Sequence, residues 1–171
     1  DMTEEIFLEI IGRVSTIYSP IIKAHGATLS VNNYWKSNTV NASAQRNEKT
    51  WGVSIYGGLA RHPLLTNDGL MMVVCHELGH HIGGAPRVGA NTDWASNEGQ
   101  ADYFASLKCM RRVLTGDDNV TIVSKMRIDE EATRQCQLIY KSADEVALCQ
   151  RISMAGKSLA SLAGALDENV T

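Results

Sequence analysis

Asn67-Asp68-Gly69-Leu70-Met71-Met72-Val73-Val74-Cys75-His76-Glu77-Leu78-Gly79-His80-His81-Ile82 decides how this chain is read, and Gly83-Gly84 and Pro86 follow it. Asn67-Asp68 reads as a helix start and the glycines and proline as a helix stop. Until Cys75 the helix is apolar on nearly every side, which places it at the centre of the fold. His76 and His80 are four residues apart and share one face, while Glu77 points one position round from them. Two imidazoles so placed suit two corners of a tetrahedral zinc. In this HExxH pattern the carboxylate stands where a zinc-bound water needs a base. Three of the five histidines, His76, His80 and His81, lie within six residues, and His81 reads as a surface residue at the helix end.

A catalytic zinc usually has three protein ligands and a water, so a third is required. The longer pattern HExxHxxGxxH fails at its last position, which is Pro86 and has no donor atom. Downstream, Asn97-Glu98-Gly99-Gln100-Ala101-Asp102 opens a second helix, read from about 96 to 114. Glu98 and Asp102 again share a face. Glu98 can reach the metal, and Asp102 can accept the free ring N–H of a ligating histidine.

Outward from this pair, Ile6, Ile10, Val14, Ile17 and Ile21 mark one face of a helix over about 3–25, capped by Thr3, with a kink or break expected near Ser19 because Pro20 lies inside the pattern. Short segments near 28–33, 38–45 and 51–56 read as three strands, with Gly57-Gly58 ending the last. Residues 84–95 read as a loop. Beyond the second helix, 129–141 is helical and Ser142-x-x-Glu145 is a capping box for a helix reaching about Leu166.

HELGH followed by ExxAD, preceded by Asn41-Ala42-Ser43-Ala44 and Val53-Ser54-Ile55-Tyr56-Gly57-Gly58-Leu59, resembles the catalytic core of the M48 gluzincin metallopeptidases, the Ste24, HtpX and Oma1-like group. The likeness covers about 3–110. It implies zinc on His76, His80 and Glu98, Glu77 as general base, and Asp102 behind the first histidine. It also implies that the strand carrying Val53, Ser54, Ile55 and Tyr56 borders the cleft and pairs with an extended protein or peptide substrate. Family members add a downstream His, Tyr or Arg that stabilises the oxyanion, for which Tyr103, Arg111, Tyr140 and Arg151 are candidates. Only 17 residues separate His80 from Glu98, as in compact gluzincins.

The expected fold is α+β and mostly α: a small sheet of three strands, possibly more, packed on the HExxH and glutamate helices, with a C-terminal helical hairpin. One domain of 171 residues is expected, with a zincin core over 1–116 and a helical subdomain over 117–171. The expected function is a zinc endopeptidase using one Zn2+; the competing reading is a non-catalytic partner-binding module with a structural metal site. At 44% hydrophobic, 20% charged and a net charge of −3, the composition excludes a disordered chain and gives no polyanion-binding signal, so no nucleic-acid partner is expected. Met71–Cys75 and Leu159–Leu166, the most apolar stretches, fall far short of the roughly 20 residues of a membrane span.

The chain opens at Asp1-Met2 without a signal peptide, so location is read from Cys75, Cys109, Cys136 and Cys149. In an antiparallel hairpin turning at Ser142, Cys136 and Cys149 stand at nearly the same height, which favours their pairing. Cys75 and Cys109 can pair or remain core thiols. An oxidised pair favours a periplasmic or secreted location.

Overall fold

The computed structural model describes residues 1–88 and 94–168, so 89–93 of the expected 84–95 loop lie outside the described residues. Helix α1 (Glu4–Ala24) is capped by the Thr3 hydroxyl, which accepts the Ile6 N–H. It runs through Pro20 without interruption, contrary to the expected break; Pro20 is exposed, and both ends of the helix stay anchored by Phe7, Val14, Tyr18 and Ile22. Three strands follow: β1 (Thr28–Tyr34), β2 (Ala42–Arg46) and β3 (Thr50–Tyr56). Their order is β1-β3-β2, with β3 parallel to β1 and antiparallel to β2.

A four-residue turn of helix, α2 (Gly57–Ala60), follows directly where Gly57-Gly58 was read only as a stop. Helix α3 (Asn67–Ile82) carries HELGH; its cap is Thr66, one residue earlier than expected, whose hydroxyl accepts the Gly69 N–H. Every residue from Gly69 to Cys75 is buried, as the all-round apolar pattern requires.

The glutamate helix runs from Glu98 to Leu114 in three parts: α4 (Glu98–Phe104), a π-helical turn at Ala105–Cys109, and α5 (Met110–Leu114). A short helix absent from the sequence reading, α6 (Asn119–Ser124), is capped by Asp118. Helices α7 (Glu130–Ile139) and α8 (Ala143–Glu168) form the hairpin, and the Ser142 hydroxyl accepts the Glu145 N–H and donates to the Glu145 carboxylate. The architecture is therefore α+β and mostly helical. No helix among the described residues is long and apolar enough to cross a membrane.

One continuous core joins Phe7, Ile10 and Val14 of α1, Val53 and Ile55 of β3, Leu70, Val74 and Leu78 of α3, Met110 and Leu114 of α5, and Leu148, Ile152 and Leu162 of α8. The C-terminal hairpin thus shares the hydrophobic cluster of the N-terminal elements. Two disulfides are present, Cys75–Cys109 and Cys136–Cys149, with Cα separations of 5.6 and 5.7 Å. The first staples α3, one residue before His76, to the π turn of the glutamate helix; the second closes the α7–α8 hairpin. Bonds of this kind persist in oxidising surroundings.

Candidate metal centre

Helix α3 presents His76 and His80 toward the first residue of α4. His76 Nε2 lies 3.0 Å from one Glu98 carboxylate oxygen, and His80 Nε2 lies 3.6 Å from the other. The two rings stand nearly perpendicular, at 89°, with centroids 4.8 Å apart. Donors about 2.0–2.2 Å from one tetrahedral ion are about 3.3 Å from each other, a spacing that these two distances bracket.

The outer nitrogens decide the tautomers. His76 Nδ1 is 2.8 Å from Asp102 Oδ1, and His80 Nδ1 is 2.8 Å from the Ser96 carbonyl oxygen. Each acceptor requires an N–H at Nδ1, which leaves the Nε2 lone pair free and aimed inward. Ligand atoms of His76, His80 and Glu98 all fall within 4.8 Å of one another, so the three form a group able to hold a metal ion. Two nitrogens and a carboxylate are a donor set that suits zinc.

Close backbone approach makes this meeting possible. A Cβ on Gly79 would stand 2.9 Å from both the Cα and the carbonyl oxygen of Ala101, so glycine in HELGH lets α4 lie directly against α3. Ser96 is pinned reciprocally: its N–H donates to the His80 carbonyl while its own carbonyl takes the His80 ring N–H. The Asn97 side chain caps α4 by accepting the Gln100 N–H, and the Gln100 amide donates to Gly83 O at the end of α3. Glu98 is thereby delivered two residues after the pinned Ser96. The Ser96 carbonyl, the Gln100 clip and the Gly79–Ala101 contact had no sequence signal, because a carbonyl carries no residue identity and the contacts cross between helices.

Glu77 is 7% exposed and borders the same cleft. Burial pushes its carboxyl above the ordinary glutamate range; the neighbouring His76 and His80 oppose this rise and the Glu98 carboxylate reinforces it. Its position suits proton transfer beside the metal group.

Two cavities open beside His76. The larger, about 630 Å³, is lined by His76, Glu98 and Asp102 on one wall, by Arg111 and Tyr140, and by α8 from Cys149 to Ala163. The smaller, about 230 Å³, lies between Asn41-Ala42 at the start of β2 and α8, with His76, Glu77 and Asp102 at its base.

Three expectations are corrected. Val53, Ser54, Ile55 and Tyr56 lie on β3, the middle strand, and its pairing with β1 and β2 takes up both edges. No substrate strand can add there. The strand that reaches the cleft is β2, which among the described residues has a strand neighbour on one side only.

Arg151, an oxyanion candidate, is 7% exposed and held by a bidentate pair to Asp68 at 2.7 and 2.9 Å and by Asp117 at 2.6 Å. It faces the start of α3 rather than the histidines. Of the other candidates, Arg111 and Tyr140 line the larger cavity, while Tyr103 is 49% exposed and lines neither.

His81 is buried rather than superficial. Its ring stacks between Trp51 and Trp94, with centroids at 5.5 and 5.0 Å, and its Nε2–H donates to Gly52 O at 2.9 Å. Burial is the main reason its pKa falls to about 4. The Arg46 guanidinium lies 3.6 Å over Trp51, so Trp51 and Trp94 are spent on packing.

No protein-family model matches the chain, and no curated protein or solved structure was found to be similar to it. The functional reading therefore rests on the motifs and on this geometry.

Proposed function

We propose that the chain is a zinc-dependent endopeptidase of the M48-like gluzincin type. The observation that supports this reading most directly is the three-residue donor set of His76, His80 and Glu98 beside the buried carboxylate of Glu77. A purely structural zinc is closed by four protein ligands, whereas three plus a neighbouring base is the catalytic pattern. A bound zinc would supply Lewis acidity, polarising a scissile carbonyl and making water acidic enough to attack it.

The chain's own residues do the rest. Asp102 and the Ser96 carbonyl hold the two imidazoles in one tautomer and orientation. Glu77 takes a proton from the attacking water and delivers it to the leaving nitrogen, a task suited to a carboxyl whose pKa burial has raised. The free edge of β2 aligns an extended peptide beside His76 and Glu77 by main-chain hydrogen bonding. With both disulfides formed, the setting is oxidising, which fits a periplasmic or secreted enzyme.

The test combines metal analysis with cleavage of a mixed peptide library. The wild-type chain should carry one zinc and cut internal peptide bonds; Glu98→Ala should lose the zinc, and Glu77→Gln should keep it without cutting. Zinc retained in full by Glu98→Ala, or cleavage undiminished in Glu77→Gln, would overturn the assignment.

A further inference from the structure

Arg111 contrasts with Arg13 and Arg151, whose charges are met by carboxylates in the interior. Arg13 and Arg151 are neutralised by Asp117 and Asp68. Arg111 donates from Nη1 to the Tyr140 hydroxyl at 3.0 Å and lies 5.0 Å over that ring, and no described carboxylate forms an ion pair with it. It is half-buried in the wall of the larger cavity, whose remaining surface is mainly apolar: Met72, Leu107, Ile152, Leu159 and Ala163.

A guanidinium uses five N–H donors in a planar fork, and one bond to a neutral phenol leaves the others to find acceptors. A cation in such a wall gains most from an anion, and the planar fork matches a carboxylate.

Position separates this role from stabilising the reacting oxygen. Arg111 is nine residues beyond Asp102, at most about 13 Å along the helix at about 1.5 Å per residue, and less because the π turn at Ala105–Cys109 lies between them. Helical side chains tilt toward the N-terminus, which puts the guanidinium on the order of 10 Å from the metal group along the shared cavity. That is about three residues of extended peptide. The Cys136–Cys149 bridge fixes Tyr140 one helical turn after Cys136, so the phenol that orients Arg111 is itself held by a covalent staple.

We propose that Arg111, oriented by Tyr140, forms a subsite for a carboxylate of the peptide substrate, two to four residues from the bond that is cut. The proposal builds on the endopeptidase reading. The carboxylate comes from an Asp or Glu side chain or from a free chain terminus, and the experiment separates these.

The probe is a decapeptide of Ala, Leu and Gly blocked at both ends, with one Glu scanned through every position. Its Gln counterparts and a version with a free C-terminus complete the set. Binding to Glu77→Gln is measured by calorimetry and cleavage is measured with wild type, so the subsite is read even if no peptide is cut.

One Glu position, or the free terminus, should bind on the order of 10- to 100-fold more tightly than its neutral partner, and the ratio should collapse toward one in Arg111→Gln. Arg111→Lys should restore part of it, and Tyr140→Phe should lower it severalfold. Equal affinity of every Glu and Gln pair for the Glu77→Gln protein overturns the subsite, a comparison that depends on no Arg111 variant folding. So does a loss in Arg111→Gln that is the same for acidic and neutral peptides. Cleavage absent while the acid preference in binding persists would instead count against the endopeptidase reading alone.

Discussion

Helix α3 carries two charged clusters, and they are built in opposite ways. At its start, Asp68 joins Arg151, Asp117, Arg13 and Asn119 in a closed network. Arg151 donates to both Asp68 oxygens, to Asp117 and to Asn119, while Arg13 covers the remaining Asp117 oxygen at 2.6 Å. Near its end, His76 and His80 meet Glu98, whose side chain is 77% exposed, with their Nε2 atoms turned to a common point. The first cluster satisfies its charges internally and ties α1, α3, α6 and α8 together. The second directs its donor atoms toward one another and toward solvent. A buried network whose charges are all paired serves the fold, whereas exposed donor atoms converging on one point can hold a metal ion.

The sharpest way to break this contrast is to change one residue in each cluster and read both stability and activity. Glu77→Gln should reduce kcat/KM by about 10²- to 10⁴-fold, the usual weight of a general base, with zinc content and melting temperature near those of wild type. Arg151→Met should do the reverse. Leaving Asp68 without its partner, and Asp117 with Arg13 alone, should cost about 3–5 kcal/mol in denaturant unfolding, while the folded protein still takes up one zinc. If Arg151→Met lost zinc at unchanged stability, the division between the clusters would be wrong.

A smaller effect is expected at Asp102, which lies at the border between holding and reacting. Asp102→Asn keeps the shape but weakens the acceptor behind His76, so zinc affinity should drop about 10- to 100-fold in a chelator competition. Unchanged affinity would assign Asp102 to the surface.

The smallest effect is a pH dependence. At Asp117 burial acts to raise the pKa, but the hydrogen bonds and charges of Arg13 and Arg151 outweigh it, and the net shift is downward. The unfolded chain therefore binds this proton before the native state does. The contribution is complete above the ordinary aspartate value of about 3.9 and fades as pH falls through the lower native one. Asp117→Asn should flatten the acid limb of the stability curve; an unaltered limb would show that Asp117 carries none of it.

The sequence was informative wherever a signal was local. A repeat of four on a helix is enough to bring His76 to the side of His80 and Glu98 to the side of Asp102, and neighbouring residues write the caps at Thr3 and Ser142. The Cys136–Cys149 pairing was legible for the same reason, since equal heights in a hairpin follow from helical rise alone. His81 was misjudged because its environment comes from Trp51 and Trp94, distant in sequence or across a turn. The π turn at Ala105–Cys109 leaves no periodic trace either, because one widened turn shifts the helical phase without changing composition.

By itself, then, the sequence determined the two helical faces that carry the metal-binding candidates, the mostly helical α+β class and the hairpin. Those properties depend on backbone periodicity and on residues a few positions apart. Only the tertiary structure decided that β3 is the middle strand and β2, among the described residues, an edge beside the cleft, that Arg151 serves the fold while Arg111 faces the cavity, and that Ser96 orients His80. The contacts that hold Ser96 to His80, Tyr140 to Arg111 and Asp68 to Arg151 join residues 16, 29 and 83 apart. Such contacts are selected by how whole surfaces pack and neutralise one another, a choice that no short stretch of chain encodes.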